Sequence, residues 1–191
     1  MFQFLAPHLR FRSVLDLAPE ALRAHGRNGL LLDVDCTLKD YGSESIPRPV
    51  IDWLGAMRSA GVRMCILSNG KARRIEPLAR SLELPYVAKA FKPLPLGCNA
   101  ALRKLGLTAE ETAIIGDQLF ADVMAGKLAR LLTILVEPTT RVEPIWTRVK
   151  RPLERFVLGR IAAPAMSTLS AGERACDRKF LTPSPLTQTQ S

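Results

Sequence analysis

Histidine is nearly absent from this chain, occurring only at His8 and His25, and the four cysteines, Cys36, Cys65, Cys98 and Cys176, stand far apart with no CxxC pair. A zinc site and a disulfide framework are therefore excluded, and acid–base chemistry falls to carboxylates. Aromatic residues make up only 6% of the chain. That leaves little to stack on nucleobases and argues against a nucleic-acid platform. Long apolar runs are missing as well: Arg, Asp, Gly or Pro cuts each one within about ten residues, short of the roughly 18 that a membrane span needs. In the opening MFQFLAPHLR no basic residue precedes the apolar stretch, and Pro7 and His8 break it. No secretory signal is expected, and a cytoplasmic location follows.

What the chain does have is positive charge. Its 27 Lys and Arg against 18 Asp and Glu give a net charge of +9, which favours anionic partners, a nucleic acid, an acidic lipid surface or a phosphorylated substrate, and charge alone does not choose among them. Residues 138–191 hold nine of the basic and four of the acidic residues, leaving 18 and 14 for the first 137. With 47% apolar and 24% charged residues in 191, one globular domain and a tail are expected. The domain is placed at 1–160. The Ser, Thr, Gln and Pro of 165–191 predict a disordered tail.

Short runs rich in Val, Ile and Leu recur at Leu30–Val34, Val62–Leu67, Tyr86–Ala90, Thr112–Ile115 and Leu131–Val136, and read as buried strands. Between them lie helical spacings: Val50, Trp53, Leu54 and Met57; Ile75, Leu78, Ala79 and Leu82; Cys98, Ala101, Leu102 and Leu105. Pro47 and Pro49 precede the first of these helices, Gly61 ends it, and Gly106 closes the third. The alternation predicts an α/β fold, a doubly wound parallel sheet of right-handed crossovers with helices on both faces. From Glu143 to Arg160 apolar residues alternate with basic ones, predicting a basic amphipathic segment broken at Pro152.

Polar residues cluster just where the apolar runs end: Asp33-Val34-Asp35-Cys36-Thr37, Ser68-Asn69-Gly70, Lys92-Pro93, and Gly116-Asp117 with Asp122 five residues on. Each cluster alone is common in turns and loops. Four of them in order, each closing a buried strand, with 35, 24 and 25 residues from Asp33 to Ser68 to Lys92 to Asp117, point to one site at the carboxyl edge of the sheet. Asp33, Asp35 and Asp117 gathered there would repel unless a hard cation joined them, and Mg²⁺ accepts oxygen ligands of this kind. Asp33 is then a candidate nucleophile forming an aspartyl-phosphate, and Asp35 a candidate acid and base. Ser68 and Lys92 are candidates to bind the transferring phosphoryl oxygens.

These motifs resemble those of the haloacid dehalogenase (HAD) superfamily of phosphohydrolases. More narrowly, LLLDVDCTL, ILSNG, KAFKPLP, IIGDQLFADVMAG, TILVEP and EPIWTRVKRPLER resemble the YqeG-like branch, which includes phosphatidylglycerophosphate phosphatases. The resemblance runs from about Leu5 to Arg160. It implies a Rossmann-like HAD fold without a cap domain, with Asp33 as nucleophile and Asp35 as acid/base. It also implies a Mg²⁺ set of Asp33, Asp117 and the Asp35 main-chain carbonyl, phosphate binding by Thr37, Ser68, Asn69 and Lys92, and support of the metal site by Asp122. Two positions depart from it: Cys36 stands where relatives commonly have Asn, and Gly70 where many have a second Asn.

Only 30 residues lie between Thr37 and Ser68, and one helix and a strand fill the span from Ser68 to Lys92. No cap fits there, and the site is expected to lie open to large substrates. Lys71, Arg73 and Arg74 follow the Ser68-Asn69 pair, placed to meet a second phosphate or anionic lipid. The expected activity is Mg²⁺-dependent hydrolysis of phosphatidylglycerophosphate to phosphatidylglycerol, with peripheral attachment to the inner face of a membrane. The alternatives are a broad capless phosphatase of soluble or protein phosphomonoesters, and a non-catalytic phosphate- or nucleic-acid-binding module.

Overall fold

The computed structural model describes residues 3–140 together with 157, 159 and 160. Six parallel strands form one sheet in the order β1-β6-β5-β2-β3-β4: β1 (Leu9–Phe11), β2 (Gly29–Leu32), β3 (Arg63–Leu67), β4 (Tyr86–Val87), β5 (Thr112–Gly116) and β6 (Leu132–Val136). Helices α1 (Pro19–Ala24), α2 (Arg48–Ser59), α3 (Ala72–Ser81), α4 (Leu96–Leu105) and α5 (Met124–Leu128) connect them. Parallel strands need such crossovers, and the near-continuous apolar character of the strands is what a sheet buried on both faces requires.

Side-chain alternation along the strands divides the interior into two layers. Leu30, Leu32, Met64, Ala113, Ile115, Leu132, Ile134 and Val136 pack with Leu22 of α1 and with Val50, Trp53, Leu54 and Met57 of α2. Ile75 and Ala79 of α3 join that side against Ile66 and Val34. On the opposite face Leu31, Cys65, Leu67 and Ile114 meet Cys98 and Ala101 of α4 and Ala125 of α5. The spacings that predicted α2, α3 and α4 thus correspond to their buried stripes. Gly106 ends α4 in the left-handed conformation, φ 61°, which glycine adopts at little cost.

The structure moves several predicted boundaries. The run Leu30–Val34 leaves the sheet at Leu32, because the Val34 carbonyl accepts hydrogen bonds from the amides of Thr37, Leu38 and Lys39 while Cys36 turns to φ 63°. Tyr86–Ala90 shortens to Tyr86–Val87, since Lys89 and Phe91 adopt φ 48° and 56° and lift the chain off the sheet. The strand β1 and helices α1 and α5 are additions to the predicted set. Three residues around Arg10 carry no strand signal, and β1 is fixed from outside by its parallel pairing with β6 and by His8, whose amide donates to the Thr133 carbonyl. The predicted basic amphipathic segment lies outside the described residues except for Val157, Gly159 and Arg160; Val157 packs on Leu119, Val123 and Leu135. The tail predicted at 165–191 also lies outside them.

Candidate active site

The sheet order reverses direction at β2: the chain leaves it toward β3 and β4 on one side and toward β5 and β6 on the other. Beyond the carboxyl ends of strands at such a point a crevice opens, and there open α/β sheets bind ligands. The loops after β2, β3, β4 and β5 carry Asp33, Ser68, Lys92 and Asp117 to this point, and all four are buried.

Lys92 is the centre of the arrangement. Its ammonium donates to Asp33 Oδ1 and Asp122 Oδ1, both at 2.5 Å, and to the Leu67 carbonyl at 3.1 Å. Burial alone would lower its pKa, but Asp122 and Asp33 outweigh burial and hold it well above the ordinary lysine range. Burial pushes the Asp33 carboxyl up to about 6, against the downward pull of Lys92. The Thr37 hydroxyl lies 3.0 Å from Asp33 Oδ2 and 3.3 Å from Asp117 Oδ1, and its single proton serves one of them at a time.

Asn69 fixes where Lys92 stands. Its amide nitrogen donates to the Lys92 carbonyl at 3.0 Å, and its amide oxygen accepts from the Lys92 N–H at 2.8 Å. Expected as a phosphate binder, Asn69 instead turns its side-chain amide to the Lys92 main chain in this structure. The Lys92–Pro93 peptide is cis. Ser68 Oγ accepts from the Gly70 N–H at 3.1 Å.

Asp122 enters through an absence. A Cβ on Gly116 would stand 2.3 Å from Asp122 Cγ and Oδ2, so only glycine at 116 lets the carboxylate reach Lys92. The π-helical turn Leu119–Val123 carries Asp122 there, and its Oδ2 accepts from the Gln118 N–H at 3.1 Å.

Carboxylate oxygens of Asp33, Asp117 and Asp122 lie within 4.8 Å of one another, all from buried residues. Three carboxylates against the Lys92 ammonium leave two negative charges among hard oxygen donors, a set that suits a divalent cation such as Mg²⁺. The three differ from the expected ligands in one member: the Asp35 carboxylate lies apart and is ion-paired with Arg74, which donates to its oxygens at 2.7 and 2.5 Å. The main-chain carbonyl is the group of Asp35 expected at the metal. Burial raises the Asp35 pKa, but Arg74 and Lys39 outweigh burial and hold the carboxyl below its ordinary value. Arg74, expected beside Lys71 and Arg73 as a contact for a second anion, is engaged with Asp35, while Lys71 and Arg73 remain exposed.

Lys39 is the site residue that sequence reasoning missed. It is buried, donates to the Ser43 carbonyl, and lies 3.7 Å from Asp35 Oδ1. Its place four residues beyond Asp35 in the turn was the available signal, but nothing in the residue type separates it from a surface lysine.

The sequence model of the haloacid dehalogenase-like hydrolases matches residues 8–130, which contain this whole arrangement. The chain belongs to that family. Among curated relatives of this HAD hydrolase, the probable phosphatase YqeG of Bacillus subtilis (strain 168) is 31% identical over 156 residues, covering 82% of this chain and 91% of the relative. The phosphatidylglycerophosphate phosphatase 1 of Arabidopsis thaliana, chloroplastic/mitochondrial, is 30% identical over 172 residues, 83% of this chain and 48% of the relative. The chloroplastic enzyme of the same name from Chlamydomonas reinhardtii is 28% identical over 164 residues, 81% of this chain and 61% of the relative. The HAD protein is an enzyme of the phosphatase type. Its described residues place a loop and α2 between Thr37 and Ser68, and α3 and β4 between Ser68 and Lys92, with no cap domain in either interval.

Proposed function

We propose that the enzyme is a Mg²⁺-dependent phosphomonoesterase whose substrate is phosphatidylglycerophosphate, released as phosphatidylglycerol and inorganic phosphate. The observation that carries the chemistry is the buried Asp33–Lys92–Asp122 chain, with Asp117 beside it, at the point where the sheet reverses. The names of the Arabidopsis and Chlamydomonas relatives support the lipid.

In this reading Asp33, Asp117, Asp122 and the Asp35 main-chain carbonyl would hold a Mg²⁺ ion, whose positive charge would offset the negative charge of a phosphate approaching an anionic nucleophile. An Asp33 carboxylate oxygen attacks phosphorus, the P–O ester bond breaks, and Asp35 gives its proton to the leaving alkoxide. Asp35, now a carboxylate, takes a proton from water; the resulting hydroxide attacks phosphorus of the aspartyl-phosphate, and inorganic phosphate leaves with Asp33 restored. Ser68 meets a phosphoryl oxygen where charge spreads in the transition state, and Lys92, whose three N–H groups are engaged by Asp33, Asp122 and the Leu67 carbonyl, does so by exchanging one of those acceptors for a phosphoryl oxygen. Thr37 orients Asp33, and Asn69 acts through Lys92 by fixing its main chain. Asp35 is held ionised by Arg74, so its acid role requires Arg74 to exchange that carboxylate for an anionic group of the substrate. The uncapped rim admits a lipid headgroup presented at the inner face of a membrane.

Phosphate release from phosphatidylglycerophosphate in mixed micelles, with Mg²⁺ and with a chelator, tests this on the native enzyme and on Asp33→Asn. Release that needs Mg²⁺ and is lost in the variant is expected. Turnover of soluble esters without preference for the lipid would retain the mechanism and replace the substrate with soluble phosphomonoesters. Absence of release from every ester would leave a binding module.

A further inference from the structure

Eight large apolar side chains are exposed among the described residues, and three of them, Phe91, Leu94 and Leu96, fall within six residues at 63%, 52% and 59% exposure. Phe91 and Leu94 lie in the turn after β4 that delivers Lys92 to the site and Leu96 opens α4, so the lysine points inward from a stretch whose apolar side chains point out. The turn is rigidly held: the Leu94 amide donates to the Phe91 carbonyl, the Lys89 amide to the Gly70 carbonyl, and Asn69 clamps Lys92 on both sides. Phe91 adopts φ 56°, a left-handed conformation that bulky residues avoid. An aromatic side chain kept in water on strained backbone is stabilised neither by packing nor by backbone preference, and such positions concentrate where a surface is used.

Within the two chain segments that form this turn the charge has one sign. The sequence contains no acidic residue at 68–75 or at 84–109, whereas Lys71, Arg73 and Lys89 are exposed there, and the Lys89–Gly70 hydrogen bond joins the two segments. Three apolar side chains fall far short of the roughly 20–30 residues a side that a stable protein interface uses. Together with a basic surround they match what holds a peripheral protein at an anionic membrane, where apolar groups enter the interface and Lys and Arg meet the headgroups.

We propose that Phe91, Leu94 and Leu96, flanked by Lys71, Arg73 and Lys89, dock the open end of the sheet on an anionic lipid bilayer. This rests on the lipid-phosphatase reading for its purpose, because docking there turns the mouth of the site toward headgroup phosphates. The bilayer also supplies the water exclusion that a capless site lacks.

Co-sedimentation of the full chain with phosphatidylcholine–phosphatidylglycerol vesicles, and with phosphatidylcholine vesicles alone, tests the proposal. The native protein is expected to bind the anionic vesicles and to release with salt. Leu94→Gln/Leu96→Gln, which leaves the neighbours of Lys92 untouched, should weaken binding by about tenfold or more, and adding Phe91→Asn should weaken it further. Lys89→Gln should cost about fivefold on anionic vesicles alone. Hydrolysis of p-nitrophenyl phosphate by the double variant is expected at the native rate, which shows the site intact. Vesicle binding equal to native in the triple variant would overturn the proposal, as would failure of the native protein to bind. A native dimer seen by light scattering that the triple variant dissociates, with vesicle binding unchanged, would overturn it in favour of a second copy of the chain on this face. Loss of the lipid-substrate reading shows separately, as native protein that binds vesicles and hydrolyses p-nitrophenyl phosphate but not the lipid.

Discussion

Replacing Lys92 by Met keeps most of the side-chain volume and removes the charge, which makes Lys92→Met a sharp test of how the site is held. In the native protein the ammonium donates to two buried carboxylates at 2.5 Å and to a carbonyl at 3.1 Å, and the three side chains of Asp33, Lys92 and Asp122 are 9% exposed or less. Removing one member of a buried ionic group costs about 3–5 kcal/mol, because the remaining charges stay desolvated without a partner. That is a large part of the 5–15 kcal/mol typical of a whole protein, and it corresponds to a fall in Tm of about 10 °C. Urea unfolding in the presence of a chelator measures it without a cation filling the gap. The pH dependence identifies the cause. Burial already lifts Asp33 from 3.8 to about 6, and Lys92 opposes that rise; without the lysine the folded value climbs further. A carboxyl with a raised folded pKa contributes its stability below the unfolded value and loses it as the pH rises through the folded one. The deficit of the variant should therefore be smallest near pH 4 and grow toward neutrality. A loss under about 1 kcal/mol, or a deficit independent of pH, would refute the electrostatic account and leave Lys92 as packing.

Gly116→Ala should cost about 1–3 kcal/mol in urea unfolding and reduce phosphate release sharply, because its Cβ claims the space of the Asp122 carboxylate 2.3 Å away; native activity in the variant would show that Asp122 need not occupy that position. His8 accepts from the Thr133 N–H through Nδ1 at 2.8 Å and faces Lys127, and partial burial followed by Lys127 lowers its pKa below 6.5. For a base with a depressed folded pKa the unfolded chain binds the extra proton, so its contribution is full above 6.5 and is lost as the pH falls below it. His8→Asn, which retains an acceptor, should flatten the fall of Tm over that acid range, and an unchanged pH profile would count against the assignment.

Most of the sheet was legible because buried parallel strands are written as short apolar runs, and helices α2, α3 and α4 because their apolar stripes recur at helical spacing. Gly106 announced its left-handed cap in the same way. The edge strand β1 was not legible: Leu9–Phe11 is held by pairing with β6 and by the imidazole of His8, contacts made 125 residues away in sequence. In the site, the strand ends located Asp33, Ser68, Lys92 and Asp117, but sequence could not say which partner each side chain takes. Lys92 and Lys39 look like surface lysines in a string of letters; burial beside carboxylates is a tertiary fact. The engagement of Asp35 with Arg74 joins positions 39 residues apart and has no local signature.

That last pair separates structure from function in a measurable way. The Arg74 and Asp35 side chains are 45% and 21% exposed, so their ion pair is screened, and breaking it should change stability by about 1 kcal/mol or less despite its short contacts. If Arg74 served only the fold, Arg74→Gln would be nearly silent. If it exchanges Asp35 for a second anionic group of the substrate, the variant should lose more kcat/KM on phosphatidylglycerophosphate, which carries a phosphodiester beside its phosphomonoester, than on p-nitrophenyl phosphate, which carries none. A second anion bound by a guanidinium contributes about 1.5–3 kcal/mol, so a differential loss of roughly ten- to a hundredfold is expected, with Arg74→Lys recovering part of it. Equal losses on the two esters would place Arg74 in the common chemistry, and an unchanged ratio with unchanged rates would return it to the surface.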